Sequence, residues 1–233
     1  MNWNDVKFAF SAFVIVAITL LGVVECAKAQ SPPTGSITLL DFEDDAQFDS
    51  LTPGDRASVE SAKDPAQESR VARFAFEAVP PNVRAYPSIV LKGKGLPTSD
   101  FTRYEAIRLR VRNEGPEVAE LSLSVWDQKG HRSFPVPSTF VVEPGEWQQV
   151  VARLAFSGMD AGDIGSVHFF QKVNRRPHTL LIDDVQLLSP QAGRIATKIQ
   201  QARGNLSRAG ASAKALGAQA QIEPNIASLR QLS

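Results

Sequence analysis

Short segments of alternating apolar and polar residues are the clearest pattern in the chain. One segment alternates three aliphatic residues with three arginines: Ile107, Arg108, Leu109, Arg110, Val111 and Arg112. Residues 120–126 repeat the pattern, with aliphatic residues at one set of alternate positions and Ser122, Ser124 and Trp126 at the other. A period of two is typical of a strand with one buried and one solvent-facing side. Both segments are therefore predicted to be half-buried strands, and the arginines are expected on a solvated face.

Seven further segments have the composition of short strands, at residues 37–42, 70–77, 85–91, 133–142, 147–156, 165–173 and 179–188. Turn sequences such as residues 127–130 separate them, and residues 48–65 have the composition of a loop. Pro135 and Pro137 limit their segment to an edge strand or an irregular conformation. The strands follow one another at roughly 10 to 15 residues with no strong helical pattern between them. The sequence therefore predicts an all-β fold, an antiparallel β-sandwich.

The last predicted strand, residues 179–188, carries two acids inside an apolar run. Leu180 and Ile182, before the acids, occupy one set of alternate positions, whereas the two apolar residues that follow the acids occupy the opposite set. One extra residue at Asp183-Asp184, a β-bulge, would bring all four apolar side chains to the same side. The change of parity therefore predicts a bulge at the two acids. A buried carboxylate at this position must be paired, hydrogen-bonded or bound to a metal ion.

Residues 190–233 differ in composition from the rest of the chain. They are rich in alanine, contain six basic residues and one acid, and carry Ile195 and Ile199 at helical spacing. Ser189 and Pro190 suit the N-cap and the first position of a helix. Because several glycines interrupt the pattern, we predict a basic, alanine-rich tail that is helical or partly disordered.

The first 29 residues have the pattern of an export signal. Lys7 precedes an uncharged, mostly apolar stretch at residues 8–24, and residues 27–29 offer small side chains for cleavage. The predicted signal peptide, residues 1–29, places the mature protein in the periplasm or outside the cell. A retained leader that anchors the protein in a membrane is the alternative, since the apolar stretch of 17 residues is near the lower limit for a bilayer span.

The segments described above divide the chain into domains that differ in composition and charge. A linker at residues 30–36 precedes the predicted sandwich at residues 37–189, and the tail at residues 190–233 follows it. Residues 30–189 contain 22 acidic and 17 basic residues, whereas the whole chain has a formal charge of zero. This balance indicates no nucleic-acid partner.

The single cysteine, Cys26, lies in the predicted leader, so we expect a mature protein without disulfide or thiol chemistry.

Motifs of known catalytic chemistry are not found in the sequence. The three histidines, His131, His168 and His178, show no paired metal-ligand spacing. There is no Gly-x-Ser-x-Gly motif and no phosphate-binding glycine loop after a predicted strand. Acids are numerous, but their spacing selects no pair of glycosidase carboxylates. The sequence therefore predicts a protein that is not an enzyme.

Four acids near the two ends of the predicted sandwich are candidate metal ligands: Glu43, Asp183, Asp184 and Asp41. Glu43 follows the first predicted strand and the aspartate pair lies within the last, so these carboxylates converge if the two strands are neighbours. Calcium takes about six to eight oxygen ligands and binds carboxylates together with backbone carbonyls. We therefore expect a structural calcium ion, with Asp183 as its first ligand. The alternative is that these acids are solvated or pair with arginines.

Several aromatic and histidine side chains are predicted at solvent-facing positions of the strands. Trp126 shares its face with two serines, and His168 and Phe170 share one face of a later strand. Aromatic rings can stack on the apolar faces of sugars while nearby polar groups bind the hydroxyls. The predicted ligand-binding set is Trp126, His168, Phe170, His131, Tyr86 and Phe134. The alternative is that a loop or the tail covers these rings.

Four short segments, in this order, resemble the galactose-binding-like jelly-roll superfamily. They are residues 42–43, 100–115, 144–154 and 181–187. This superfamily includes non-catalytic carbohydrate-binding modules and domains attached to agarases and related glycoside hydrolases. The resemblance covers residues 37–188 and implies a jelly roll with a structural calcium beside the first and last strands, at Glu43 and Asp183 or Asp184. Phe101 departs from the pattern, which usually has tryptophan there.

The resemblance implies an exported, non-catalytic module that binds a glycan or polysaccharide, with the ligand site at Trp126, His168 and Phe170. The alternative is an envelope protein-interaction or assembly module, since a similar jelly roll occurs in the complex I assembly factor family. In that case the basic tail at residues 190–233 would bind a protein partner or a membrane surface, and a retained leader would favour this second interpretation.

Overall fold

The computed structural model of the protein describes residues 35–64, 67–172 and 175–230. Within the C-terminal helix, side chains are described as far as residue 209 and at residue 212. The predicted signal peptide and residues 30–34 of the predicted linker lie outside the described residues. Within the described ranges, no helix combines the length and the apolar character that crossing a bilayer requires.

The described residues form twelve strands: β1 (Ile37–Leu40), β2 (Leu51–Pro53), β3 (Ala57–Lys63), β4 (Arg70–Phe76), β5 (Ser88–Lys92), β6 (Ala106–Asn113), β7 (Ala119–Asp127), β8 (Arg132–Ser133), β9 (Thr139–Val142), β10 (Trp147–Arg153), β11 (Ile164–Phe170) and β12 (His178–Leu188). A short helix, α1 (Asp45–Asp49), follows β1, and a 3₁₀ turn (Gly93–Gly95) follows β5. The long helix α2 (Pro190–Arg230) follows the last strand.

The strands form two antiparallel sheets of six. Sheet 1 has the order β10-β6-β12-β4-β3, with β1 paired to β12. Sheet 2 has the order β2-β5-β11-β7-β8, with β9 paired to β7. Every pair of neighbouring strands within the sheets is antiparallel. The predicted all-β antiparallel sandwich with a C-terminal helix is therefore confirmed.

One hydrophobic core lies between the two sheets and includes residues from both. The ring of Phe74, on β4 of sheet 1, meets the ring of Phe169, on β11 of sheet 2, in an edge-to-face arrangement with centroids 5.6 Å apart. Leu109 of sheet 1 and Leu123 of sheet 2 are fully buried in the same core. The alternate apolar positions found in the sequence thus face the core, and the intervening polar positions face away from it.

The β-bulge predicted at Asp183-Asp184 is present in β12. The register of β12 against β6 shifts between Asp183 and Gln186, and Asp184 has a positive φ of 49°. Because of this shift, the apolar residues on both sides of the acids enter one core: Leu180, Ile182, Val185 and Leu187. The prediction made from the change of parity is therefore confirmed.

Helix α2 begins against the outer face of sheet 1. Ala192 and Ala196 of its first turns are buried in a small cluster with one residue from each of three strands: Ala106, Val151 and Leu188. These three residues occupy outward positions of β6, β10 and β12, so the helix covers part of that face. Further along the helix, Ile199 and Leu206 are exposed.

Residues 48–65, predicted as a loop, contain two strands, β2 and β3. Strand β3 is composed of small, polar and charged residues apart from Val59, so it carries no apolar alternation. It forms a strand because it pairs along its whole length with β4 at the edge of sheet 1. The prediction was wrong because tertiary pairing, and not local pattern, makes this segment extended.

The central contact between the sheets gives a prediction for stability. Replacing Phe74 with alanine removes a fully buried ring and leaves a cavity against Phe169, so Phe74→Ala is expected to lower the free energy of unfolding by about 3 to 5 kcal/mol. Urea denaturation followed by circular dichroism measures the change. The control is Val118→Ala, since Val118 is 49% exposed and its truncation should cost less than about 0.5 kcal/mol. Similar small effects in both variants would contradict this packing.

Candidate ligand-binding groove

A surface groove of about 450 Å³ lies on the outer face of sheet 2. We call it the aromatic groove, and its lining residues are Tyr86, Ser88, Ser124, Trp126, Arg132, Phe134, His168, Phe170 and Lys172. Five of the six residues predicted as the ligand site, all except His131, therefore lie together in one depression. They come from three separate parts of the chain.

The floor of the aromatic groove follows from the period of strands β7 and β11. In the register of these two strands, Ser124 pairs with His168 and Ser122 with Phe170. Between these residues, Leu123 and Phe169 point in the opposite direction and are buried in the core. Burial of the apolar alternate positions therefore places the polar and aromatic positions outward, where two adjacent strands combine them into one surface.

Trp126 and His168 form the centre of this floor. Their rings are stacked, with centroids 5.2 Å apart and planes inclined by 27°. The indole Nε1–H of Trp126 donates a hydrogen bond to Ser124 Oγ at 3.1 Å. The His168 Nε2 is hydrogen-bonded to Ser166 Oγ at 2.9 Å. Neighbouring serines therefore hold both rings in a defined orientation.

His168 is a neutral imidazole at physiological pH. Burial, and to a smaller extent the positive charge of Lys92, lower its pKa to about 4. A neutral imidazole has one nitrogen that donates and one that accepts hydrogen bonds. The floor of the groove therefore offers hydrogen bonds without carrying a charge.

Two exposed rings and Phe170 form the sides of the groove. Tyr86 is 64% exposed and meets Phe170 edge-to-face, with centroids 6.5 Å apart. Phe134 is 38% exposed and lies 6.4 Å from Phe170. The segment before β5 that carries Tyr86 is tied to the end of β11 by a hydrogen bond from the Gln171 N–H to the Pro87 carbonyl at 3.1 Å. Ring faces and edges are thus available at the surface.

Two basic residues of the groove, Arg132 and Lys172, were not singled out in the sequence. The guanidinium of Arg132 lies 5.7 Å from the ring centroid of Trp126 and 5.1 Å from that of Phe134. The ammonium of Lys172 lies 6.0 Å from the centroid of Phe134. Both are within the range of cation–π attraction. The position of Arg132 could have been found from the sequence. It directly follows the turn after Trp126, and a hairpin at that turn pairs it with Trp126.

His131 does not line the aromatic groove. It lies in the turn after β7, where its Nδ1 is 2.9 Å from Asp127 Oδ2 and its backbone N–H donates to Asp127 Oδ1. A hydrogen bond from the Asp160 N–H adds a third bond to the same carboxylate. The histidine therefore has a local partner in the loops beyond the strands and is separate from the other predicted ligand residues.

The predicted metal ligands lie at the junction of β1 and β12, which are neighbouring antiparallel strands as expected. Asp183, however, has a basic partner. Its Oδ2 accepts a hydrogen bond from Arg110 at 3.1 Å, and Arg110 also bonds Asp64 at 3.3 Å and lies over the ring of Trp147 at 4.5 Å. Burial, and then the charge of Asp184, raise the pKa of Asp183 to about 6.

The remaining predicted metal ligands do not join Asp183 in a cage. The Asp41 carboxylate accepts a hydrogen bond from the Gln47 side chain at 2.6 Å, and Glu43 is exposed. Among the described residues, no group of three or more acidic, histidine or cysteine side chains could hold a metal ion. The carboxylates in place therefore fit an arginine network, and the calcium site stays a prediction from the sequence.

The arginines of β6 also differ from the solvated face that was expected. Arg110 is half-buried within the network just described, and Arg108 donates a hydrogen bond to the side chain of Gln186 on the neighbouring strand at 2.5 Å. The network joins these strands to Asp64, which directly follows β3 in the segment predicted as a loop. The outer face of sheet 1 is therefore largely occupied by its own ion pairs and by helix α2.

No family model and no curated protein matches the chain. Among solved structures, the chain is similar to an exo-β-agarase, with a TM-score of 0.51 and 16% identity over 65% of this chain and 24% of that chain. A second agarase gives a TM-score of 0.50 and 12% identity over 67% of this chain and 25% of that chain. A family 11 carbohydrate-binding module from Clostridium thermocellum, in complex with a mixed-linked tetrasaccharide, gives a TM-score of 0.48 and 17% identity over 66% of this chain and 96% of that chain.

The likeness to the two agarases shows the fold of this chain, and it agrees with the two antiparallel sheets described above. The chain spans about a quarter of the length of those agarases. Any function must therefore be argued from the residues of the groove.

The lowered pKa of His168 gives a prediction about stability and pH. Because the pKa of about 4 in the folded state is below the ordinary value of about 6.5, the neutral ring contributes stability that is present above pH 6.5 and is lost as the pH falls towards 4. His168→Gln should remove this dependence. As the pH is lowered from about 6.5 to about 4, the free energy of unfolding of the wild type should therefore fall relative to that of the variant.

Urea denaturation at several pH values measures this difference, and an NMR titration of the His168 ring measures the pKa directly. A constant difference between wild type and variant across the range, together with a ring that titrates near its ordinary value, would contradict the burial of His168.

Proposed function

We propose that this chain is a non-catalytic module that binds a carbohydrate in the aromatic groove. The observation that carries the proposal is the arrangement of Tyr86 and Phe170 around a floor formed by Trp126 and the neutral, hydrogen-bonding His168. In this proposal the module works outside the cytoplasm, as the predicted signal peptide indicates. The two agarases share only the fold with this chain, so the assignment depends on the chemistry of the groove.

A sugar ring has apolar C–H faces and a polar rim of hydroxyl groups. The exposed rings of Tyr86 and Phe134 offer flat apolar surfaces for the C–H faces. The hydroxyl of Ser88 and the imidazole of His168 supply donors and acceptors of the kind that bind hydroxyl groups. A volume of about 450 Å³ is in the ordinary range for a small-molecule site. The groove therefore suits a few units of a glycan.

The exposed ring of Tyr86 gives the sharpest test of this proposal. Tyr86→Ala removes the stacking surface, and because the side chain is 64% exposed the fold should be unaffected. The matched control is Tyr86→Phe, which retains the ring. Retention on immobilised polysaccharides and binding to a glycan array are expected to fall about tenfold for Tyr86→Ala, since aromatic anchors often contribute more than about 1 kcal/mol to binding. The phenylalanine variant should stay close to wild type.

Trp126→Ala extends the test to the floor of the groove and should also weaken retention, with circular dichroism showing that the fold is kept. Equal retention of wild type, Tyr86→Ala and Trp126→Ala on every polysaccharide that binds would place the ligand elsewhere. Absence of binding to all glycans would reject carbohydrate binding, and hydrolysis of a glycan by the purified protein would reject a non-catalytic role.

Helix α2 supports a second candidate function, the binding of a protein partner. Ile195, Ile199 and Leu206 are 51%, 45% and 71% exposed, and the last two lie one heptad apart. This spacing is that of a coiled-coil seam, and Lys198 and Arg203 occupy the positions that flank it. A parallel second copy would place Lys198 against Arg203 and be repelled. The partner is therefore an amphipathic helix with an apolar seam and acidic flanks.

A synthetic heptad peptide with leucine at the seam and glutamate beside it tests this second candidate against the full chain. Leu206→Asp should weaken binding about tenfold because it places a charge in the seam. The matched control, Gln201→Asp, adds the same charge on another side of the helix and should bind as wild type does. No binding of the peptide, or binding of anionic vesicles or self-association in its place, would reject this candidate.

A further inference from the structure

A second cavity adjoins the aromatic groove and shares Tyr86 and Lys172 with it. It has a volume of about 150 Å³, and we call it the basic cavity. Its lining residues are Val79, Pro80, Pro81, Val83, Arg84, Ala85, Tyr86, Lys172 and Arg175. The two depressions together form one continuous surface, with Tyr86 at the junction.

The charged side chains of this joint surface all have the same sign. The basic residues are Arg84, Arg132, Lys172 and Arg175, and the lining of the two depressions contains no carboxylate. On the same outward side of β7, the acid Glu120 lies beyond the lining. Lys92, on the outward side of β5, adds a further positive charge near His168. A body with a net charge of −5 over residues 30–189 thus carries a local positive surface at its groove.

These four basic side chains are also free of acidic partners within the described part of the chain. Six of the twelve arginines of the sandwich form ion pairs there. The paired ones are Arg56, Arg70, Arg73, Arg110, Arg153 and Arg176. Arg132 instead lies over the rings of Trp126 and Phe134, 5.7 Å and 5.1 Å from their centroids. Contact with an aromatic ring leaves the N–H donors of a guanidinium available for a carboxylate or sulfate.

Rings and cations in this arrangement can bind two different parts of one ligand. An aromatic ring binds the apolar face of a sugar, while a guanidinium beside that ring can reach an acidic group at the edge of the sugar. A neutral sugar polymer would leave four cations without a counter-charge in the bound state. The absence of opposing acids therefore favours a ligand that carries the negative charge itself.

We propose that the ligand of the joint surface is an anionic polysaccharide, with carboxylate or sulfate groups that bind Arg132, Lys172 and the arginines of the basic cavity. This inference rests on the carbohydrate-binding function proposed above. A single-stranded nucleic acid is the other polyanion that stacks on aromatic rings. The predicted export of the protein favours the polysaccharide.

The experiment uses the full chain and affinity gels that contain polygalacturonate or alginate for the carboxylate, carrageenan for the sulfate, and xylan or agarose as neutral polymers. Retention is expected on at least one anionic gel and should exceed that on the neutral gels. Raising the salt concentration from about 50 mM to about 300 mM should weaken this retention, because the Debye length shortens. The carboxylate and sulfate gels identify which acidic group is bound.

The double variant Arg132→Gln with Lys172→Gln should weaken binding to the anionic gel about five- to tenfold, since each exposed ion pair contributes a few-fold. The matched control changes two exposed basic residues that line neither depression, Arg103→Gln with Lys63→Gln. It removes the same net charge and should retain the binding of the wild type. Thermal unfolding shows that both variants are folded.

The outcomes separate this inference from the proposed function. Retention that depends on Tyr86 but is stronger on xylan or agarose overturns the anionic ligand and leaves carbohydrate binding in place. Equal loss in the two double variants shows a non-specific charge effect and also overturns it. Stronger binding of a poly-dT oligonucleotide than of any polysaccharide overturns both proposals, as does retention on no gel.

Discussion

Burial of alternate residues between the two sheets is the constraint on which the rest of the structure depends. Leu123 and Phe169 enter the core from adjacent strands of sheet 2, where Phe169 meets Phe74 of sheet 1. Because the period of a strand is two, the residues between them must point outward. Trp126 and His168 are therefore brought together on the surface by the same packing that holds the two sheets together.

The two outer faces of the sandwich differ in what already occupies them. On sheet 1, Arg110 pairs with Asp64 and Asp183, and the first turns of helix α2 bury Ala192 and Ala196. Its charged groups are thus largely satisfied within the molecule. Sheet 2 instead presents exposed rings and basic side chains whose donors are not used by acids among the described residues. This difference assigns the candidate ligand surface to sheet 2 and a structural role to sheet 1.

Burial shifts the pKa of one ionisable side chain on each of the two outer faces. Asp183 lies opposite Arg110 in the register of β12 and β6, just before the bulge, and burial together with Asp184 raises the pKa of Asp183. Both acids lie within ion-pair distance of Arg110. Among the described residues they do not form part of a group of side chains that could hold a metal ion. In the aromatic groove, burial acts in the opposite direction on a base and keeps His168 neutral.

The sequence by itself determined the sandwich, the bulge at Asp183-Asp184 and the outward position of Trp126 and Phe170, because strand period and parity are local properties of the chain. It did not reveal strand β3, which lacks an alternating pattern, or the partner of Asp183. Only the tertiary structure shows that Tyr86, Arg132 and Lys172 line one groove and that His131 lies outside it. The reason is physical: register between distant strands and the course of connecting loops depend on long-range packing, which no local pattern encodes.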